Sequence, residues 1–149
     1  MSAKVIRPSV VLLKDGNILL LKSKYSSGEF YLLPGGGVEG TETLKETAIR
    51  EIKEETNYDI TIVKLLYLQE WIDKEKEKNV LYVIFLGEIH GGNETHLLDP
   101  CLEKGHIQGI EWVAINKLHA LPFYPKEIVP LMQKEYKTNF ASGGTYVDS

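Results

Sequence analysis

A run of three glycines at residues 35–37 stands between a strand-like and a helix-like segment, and it constrains the fold more than any other feature. Residues 30–33 before it have the apolar and aromatic character of a short strand. After it, apolar residues recur with helical spacing over residues 42–56, at Leu44, Ala48 and Ile52. The sequence therefore predicts a strand that bends sharply and leads directly into an amphipathic helix.

Both ends of this helix carry local signals. Thr43 and Glu46 have the spacing of a capping box, in which each side chain bonds a free backbone N–H of the first turn. Asn57 follows the last helical residue and tolerates the left-handed backbone that ends a helix. We therefore predict that the helix begins close to Thr43 and ends at Asn57.

The remaining strands are predicted from apolar runs between turn residues. Residues 4–14 and 17–24 flank Asp15-Gly16, which is a strong signal for a two-residue hairpin turn. Residues 60–71 and 79–89 form two longer runs, and the alternating charges of residues 73–78 between them are typical of a solvated hairpin tip. A long loop over residues 90–109 precedes a short strand at residues 110–115.

Two further helices and a tail complete the predicted architecture. Asn116 is expected to cap a short helix, and Pro130 implies that the helix predicted in residues 126–137 begins near Val129. The fold class is therefore α+β, with a mixed sheet between helices. We expect a single domain over residues 1–138 and a flexible C-terminal tail over residues 139–149.

Three carboxylates lie close together on the glycine-linked helix. Glu51, Glu54 and Glu55 are spaced i, i+3 and i+4, so they share one helix face at a cost in electrostatic repulsion. A hard divalent ion bound by oxygens removes that cost, and magnesium is the usual ion beside phosphate. The chain carries a net charge of −4, which argues against a protein that coats nucleic acid and means that a phosphate substrate needs a cation.

Residues 36–58 read GGVEGTETLKETAIREIKEETNY and resemble the signature of the Nudix hydrolase superfamily (MutT-like), G-x5-E-x7-R-E-U-x-E-E-x-G-U, where U is bulky and apolar. The matching residues are Gly36, Glu42, Arg50, Glu51, Ile52, Glu54 and Glu55. Asn57 replaces the last glycine and Tyr58 replaces the closing aliphatic residue, and neither change removes a carboxylate. The order of strands and helices around this segment is also similar to that family, which implies an α/β/α sandwich.

The resemblance implies a role for each matched residue. Glu54, Glu55 and the Gly35 carbonyl would hold magnesium, with manganese as an alternative ion. Glu51 would bind the metal and serve as general base, and Arg50 would fix Glu51 by a salt bridge.

Further residues are expected to support this centre. Glu42 and Gly36 would brace the loop and the helix. A further acidic ligand from the later loop is expected at Glu103, with Glu94 and Asp99 behind it. Lys22 and Lys24, at a strand end, are candidates for contact with phosphate oxygens, although lysines at such positions usually only face solvent.

The implied activity is magnesium-dependent hydrolysis of a pyrophosphate bond in a nucleoside diphosphate linked to another moiety. Nucleoside triphosphates, nucleotide sugars and dinucleoside polyphosphates all remain open as substrates. The aromatic residues that could stack on a base are mostly typical of a core, so none is assigned: Trp71, Tyr82, Trp112 and Phe123. We expect a small nucleotide partner rather than extended nucleic acid or a membrane, and relatives of this kind often form homodimers.

Cellular location is predicted from what the sequence lacks. Cys101 is the only cysteine, so the chain has no internal disulfide and fits a reducing cytoplasm. It has neither an export leader nor an apolar run of the roughly 18 residues that a membrane helix needs.

Two other functional classes are compatible with parts of this sequence. Gly35, Gly37 and Gly40 form a G-x-G-x-x-G pattern, which favours a dinucleotide-binding oxidoreductase, although a predicted hairpin precedes it and Pro34 adjoins it. A binding module of the same fold that has lost catalysis is the other alternative. Such a module should lack one or more carboxylates, and this chain keeps Glu51, Glu54 and Glu55.

Overall fold

The computed structural model describes residues 4–26, 28–94 and 107–148. The strands within this part of the chain are β1 (Val5–Val11), β2 (Leu13–Lys14), β3 (Asn17–Tyr25), β4 (Gly28–Leu32), β5 (Tyr58–Asp73), β6 (Lys78–Gly92), β7 (Ile107–Ala114), β8 (Phe123–Tyr124) and β9 (Thr145–Val147). The α-helices are α1 (Leu44–Thr56) and α2 (Val129–Tyr136), and 3₁₀-helices occupy Ile115–Ala120 and Lys126–Ile128.

The first sheet is mixed and has the strand order β1-β6-β5-β9. β5 and β6 form a long antiparallel hairpin, while β1 pairs with β6 and β9 pairs with β5 in parallel. The turn of the hairpin lies between Asp73 and Lys78, which form the last residue pair before the tip. The predicted pair of long strands with a charged tip is confirmed.

The second sheet is built around β3. β2 and β4 pair antiparallel with β3 along one edge, β7 pairs antiparallel along the other, and β8 extends the sheet parallel to β4. Asp15 and Gly16 connect β2 to β3 with φ values of 52° and 78°, so the predicted turn is confirmed. The sequence predicted one mixed sheet, whereas the chain forms two.

The segment before that turn does not continue the hairpin. Its first part, β1, leaves the second sheet and pairs with β6 in the first. The reason is burial: Val10, Val11 and Leu12 are all fully buried, because alternate side chains face opposite layers. A continuous apolar run of this kind is typical of a strand that is covered on both faces.

The two α-helices cover opposite faces of the first sheet. Ala48 and Ile52 of α1 pack with Val10 of β1, whereas Met132 of α2 packs with Val11. Helices on both faces of a mixed sheet give the predicted α+β sandwich, which is confirmed.

The helix ends show which local signals determined the fold. Thr43 and Glu46 form a complete capping box on α1, and Asn57 adopts a left-handed conformation with φ of 66°. Helix α2 begins at Val129, as Pro130 predicted. The prediction for Asn116 was wrong, because the 3₁₀-helix begins after Ala114 without a side-chain cap.

The C-terminal segment differs from the frayed tail that the sequence predicted. Phe140 is 1% exposed and belongs to the core cluster on the α2 side, together with Val147. β9 pairs with β5 through residues Tyr67 to Gln69. One aromatic side chain and one free strand edge therefore hold a segment whose composition is otherwise small and polar.

Candidate active site

The glycine bend, formed by residues 34–37, lies against strand β1. The backbone N–H of Val10 donates to the Pro34 carbonyl at 3.0 Å, and that of Gly36 donates to the Pro8 carbonyl at 3.1 Å. A Cβ atom at Gly35 would lie 2.3 Å from the Pro8 carbonyl oxygen, so only glycine fits at this position. The bend is therefore fixed by backbone contacts to a strand of the neighbouring sheet.

Two glutamates of α1 lie directly beneath the bend. The N–H of Gly35 donates to Glu55 Oε1 at 2.9 Å. A Cβ atom at Gly36 would lie 2.3 Å from the Glu51 carboxyl carbon, so the backbone passes directly over that carboxylate. Glu51 and Glu55 are only 4% and 8% exposed, which is unusual for carboxylates and indicates that the site is built around them.

Arg50 joins the helix to the loop before it. Its Nε and Nη2 donate to the two Glu42 oxygens at 2.7 and 3.0 Å, which is a bidentate pair. Its Nη1 donates to Glu51 Oε1 at 3.0 Å and to Glu54 Oε1 at 3.2 Å. Nη2 also donates to the Gly37 carbonyl at 3.1 Å, so a single guanidinium holds both the glycine bend and the acidic face of the helix.

The Glu42–Arg50 pair has a strong electrostatic signature. The hydrogen bond from Arg50 is the largest cause that lowers the pKa of Glu42 to about 2, with further help from the Glu39 backbone and the Thr47 hydroxyl. The pKa of Arg50 is raised, mainly by its hydrogen bond to Glu42 and also by those to Glu54 and Glu51. Both groups are therefore charged across the physiological pH range.

The chemistry of this cluster fits a hard divalent cation. One guanidinium faces the carboxylates of Glu42, Glu51 and Glu54, and Glu55 lies one residue further on. Buried carboxylate oxygens beside backbone oxygens are the donors that magnesium prefers. Within the described residues, no three or more His, Cys, Asp or Glu side chains are arranged so that they could hold a metal ion together without rearrangement. Nη1 of Arg50 instead bridges Glu51 and Glu54.

The structure does not bring every predicted residue to this cluster. Lys22 Nζ lies 3.4 Å from Glu29 Oε2 across the β3–β4 pair, and the nearby Glu29 is the main cause that raises the pKa of Lys22. Lys24 is exposed and paired in register with Glu29. No contact described for either lysine reaches the bend.

Of the three acidic residues predicted as ligands from the later loop, the described part of the chain includes only Glu94. Glu94 accepts a hydrogen bond from Trp112 Nε1 at 3.2 Å and lies beside Tyr58, whose pKa is raised chiefly by burial and then by Glu94. Glu103 and Asp99 lie outside the described residues.

A large cavity near the bend was not predicted from the sequence. Its volume is about 860 Å³, and its lining includes Arg7, Phe30, Leu32, Trp71, Tyr82 and Tyr124. Leu32 ends β4, and Gly35 follows three residues later, so about 10 Å of chain at most separates the cavity wall from the bend. The only sequence signal for this cavity was the aromatic content of the strands. The aromatic residues have different places in the structure: Trp71 and Tyr82 line the cavity, whereas Phe123 belongs to the core.

The setting of the G-x-G-x-x-G pattern argues against a dinucleotide fold. The glycines follow the antiparallel β3–β4 pair, and α1 leads to β5 in the other sheet rather than to a parallel neighbour of β4. A dinucleotide fingerprint needs a βαβ unit within one parallel sheet.

Comparisons with known proteins agree with this geometry. The family model described as "NUDIX domain" matches residues 4–133. An "ADP-ribose pyrophosphatase" of Methanocaldococcus jannaschii is 32% identical over 120 residues, which is 80% of this chain and 67% of that protein. The "NAD-capped RNA hydrolase NudC" of Photorhabdus laumondii is 28% identical over 119 residues, and the alignment spans 78% of this chain but only 42% of that protein.

A solved structure shows the same fold. The "NUDIX hydrolase from Nitrosomonas europaea" superposes with a TM-score of 0.74 at 18% identity, covering 92% of this chain and 90% of the other. In addition, no helix among the described residues is long and apolar enough to cross a membrane.

Proposed function

The chain belongs to the NUDIX family, and from this premise we propose that it hydrolyses, with magnesium, the pyrophosphate bond of a nucleoside diphosphate linked to another moiety. One observation supports this proposal above all others. Glu51 and Glu55 are buried beneath a glycine bend, and the single guanidinium of Arg50 is shared among several carboxylates. Burying carboxylates is costly unless a cation accompanies them.

Glu54, Glu55, Glu51 and the Gly35 carbonyl would hold the magnesium, with manganese as a substitute and with Glu103 as the later-loop ligand. When bound, magnesium supplies positive charge for the diphosphate oxygens and makes water more acidic. Arg50 does not enter the metal site in this proposal. It keeps its bidentate contact with Glu42 and fixes the position of the Glu51 carboxylate.

Glu51 is the general base of the proposed reaction. It accepts a proton from water, whose oxygen then forms a bond to one phosphorus atom while the bridging P–O bond on the opposite side breaks. The other phosphate departs with the bridging oxygen and the electron pair of that bond, and this oxygen takes up a proton from solvent. Because Glu51 is held by Arg50 and covered by Gly36, its carboxylate needs no reorganisation before the proton transfer.

The aromatic cavity is the proposed site for the nucleoside part of the substrate. Phe30, Trp71 and Tyr124 provide apolar surface for a flat base, and Arg7 adds positive charge to an acidic protein. The archaeal and bacterial relatives are named as an ADP-ribose pyrophosphatase and a hydrolase of NAD-capped RNA, and both of these substrates contain nucleotides joined through a pyrophosphate. A small soluble nucleotide is therefore the expected partner, and homodimer formation and a cytoplasmic location stay predictions. Lys22 and Lys24 stay candidates for phosphate contact only if the Lys22–Glu29 pair opens.

The proposal is tested by incubating the full chain with nucleoside triphosphates, nucleotide sugars and dinucleoside polyphosphates, with and without magnesium. Products are separated by chromatography. Glu54→Gln and Glu55→Gln should each lower turnover by about two orders of magnitude or more, because each removes a charged oxygen donor. Glu46→Gln is the matched control: Glu46 is exposed on the same helix, and glutamine also serves in a capping box.

Two results would contradict the proposal. One is hydrolysis that survives chelation of the metal, and the other is near-normal turnover in both Glu54→Gln and Glu55→Gln. Nucleotide binding without any hydrolysis would instead favour the non-catalytic module.

A further inference from the structure

A carboxylate on the wall of the cavity has no role in the chemistry proposed above. Glu127 lines the cavity, where the neighbouring lining is mainly aromatic and basic. It lies in the 3₁₀-helix Lys126–Ile128 and is exposed. A carboxylate in a cavity assigned to the nucleoside part of the substrate favours a ligand group that donates hydrogen bonds.

The Glu127 side chain is held in position from below. Nε2 of Gln69 donates to Glu127 Oε2 at 3.0 Å. Gln69 is 1% exposed on β5, and its Oε1 has no hydrogen-bond partner among the described residues. Burying an amide oxygen without a partner costs stability, and the same amide group uses its Nε2 to hold Glu127.

Hydrogen-bond donors line the same cavity as this acceptor. Arg7 and Tyr82 line the same cavity. Burial is the main cause that raises the pKa of the Tyr82 hydroxyl, and the charges of Arg7 and Glu127 act on it with opposite signs. The polar part of the wall therefore combines the donors of Arg7 and Tyr82 with the carboxylate acceptor of Glu127.

This arrangement distinguishes among the nucleic acid bases. Guanine carries two adjacent donors, N1–H and N2–H, next to the acceptor O6. Adenine places the lone pair of N1 beside its amino group, and cytosine places N3 beside its own, so each would direct an acceptor at the carboxylate. Uracil has one donor between two carbonyl oxygens. Guanine is therefore the one common base whose edge offers two neighbouring donors to a carboxylate and an acceptor to the groups beside it.

We propose that Glu127, positioned by Gln69, is the residue that selects the base of the substrate, and that it selects guanine. The proposal rests on the proposed function in that the cavity is taken as the nucleoside site. In this arrangement the carboxylate accepts from N1–H and N2–H while Arg7 and Tyr82 face O6, and the aromatic side chains of the cavity cover the faces of the ring.

Base selection is tested by binding rather than by turnover. Binding of GMP, IMP, AMP and UMP to the full chain is measured by calorimetry with magnesium in the buffer, since these monophosphates hold no pyrophosphate bond. GMP should bind about ten- to a hundred-fold more tightly than AMP or UMP, which is the range for a bidentate base contact. IMP lacks the 2-amino group and should lie between them.

The variant series isolates Glu127. Glu127→Gln should bring the GMP-to-AMP affinity ratio close to one. An amide has one acceptor oxygen beside a donor NH2, so it cannot accept from two neighbouring N–H groups at the same time. Removing a negative charge favours every phosphate ligand to a similar extent, so the ratio is the quantity to compare. Glu88→Gln removes the same charge at an exposed position of β6 and should leave the ratio unchanged. Gln69→Leu should lower the ratio partially, because Glu127 then loses its anchor.

Three results would overturn the inference: equal affinity for GMP and AMP, a guanine preference that survives Glu127→Gln, or no binding of any monophosphate. The hydrolysis assay is independent of these measurements. Hydrolysis without a guanine preference refutes base selection alone, whereas a guanine preference without magnesium-dependent hydrolysis refutes the proposed reaction.

Discussion

Arg50 shows how much of this site depends on the shape of a single side chain. Its planar guanidinium meets both oxygens of Glu42 and still has donors for Glu51, Glu54 and the Gly37 carbonyl. A lysine has the same charge but only a compact ammonium group, so it could not hold the loop and the helix face together. The resemblance to the family signature led to the expectation that Arg50 pairs with Glu51. The same guanidinium also binds Glu42, which lies eight residues away in sequence.

The acid dependence of stability should carry the signature of Glu42. Its pKa is lowered from 4.5 to about 2 in the folded chain, chiefly by Arg50, so its contribution to stability is present above about pH 4.5 and is lost as the pH falls toward 2. Urea unfolding of the wild type and Glu42→Gln, from about pH 2 to about pH 7, should show a difference that is constant near neutrality and shrinks in acid. A difference that stays constant down to the lowest pH would contradict the pairing.

At the scale of secondary-structure elements, the bend and helix α1 act as one unit. The ends of α1 could be predicted from the sequence because capping depends on residues within a few positions of each other, as Thr43 and Glu46 illustrate. The contact of the bend with α1 was harder to predict. It joins Gly35 to Glu55 and places Gly36 over Glu51, and β1 sets both contacts from outside the segment.

Adjacent glycines of the bend should respond differently to a methyl group. A Cβ atom at Gly36 would lie 2.4 Å from Glu51 Oε1, whereas one at Gly37 would meet no atom within 4 Å. Gly36→Ala should therefore displace the Glu51 carboxylate and lower turnover by at least about tenfold, since misplacing a reacting group by about 1 Å costs that much or more. Gly37→Ala is the matched control and should remain close to the wild type. Steady-state kinetics on the best substrate of the panel measures both, and equal turnover in the two variants would show that the close approach is unimportant.

At the scale of the whole molecule, the sequence was a good guide to elements and a poor guide to how they assemble. Two sheets instead of one result from β1 leaving its hairpin to pair with β6, which depends on burial on both faces rather than on any local pattern. The cavity is likewise invisible in the sequence, because Arg7, Leu32, Trp71 and Tyr124 come from four separate strands. Spacing along the chain reports on neighbours within a helix, and it does not report on contacts between distant strands.

The C-terminal segment should contribute to global stability. Phe140 is 1% exposed in the core on the α2 side, so Phe140→Ala should reduce the free energy of unfolding by about 3–5 kcal/mol. Tyr146→Ala is the control, because Tyr146 is 57% exposed and should cost about 1 kcal/mol or less. Urea unfolding of both variants gives the comparison. A loss below about 1 kcal/mol for Phe140→Ala would mean that the segment frays, as the sequence alone suggested.

The position of β4 has a consequence for how such proteins diversify. Phe30 and Leu32 belong to the cavity wall, and the bend over α1 begins just after this strand, so the two halves of the site meet through one short stretch of chain. Of the other wall residues, Tyr82 and Tyr124 lie on β6 and β8, which are remote in sequence from the acidic helix. Mutations in these two segments can therefore change which molecule the cavity accepts while the acidic helix and its glycine bend are inherited unaltered.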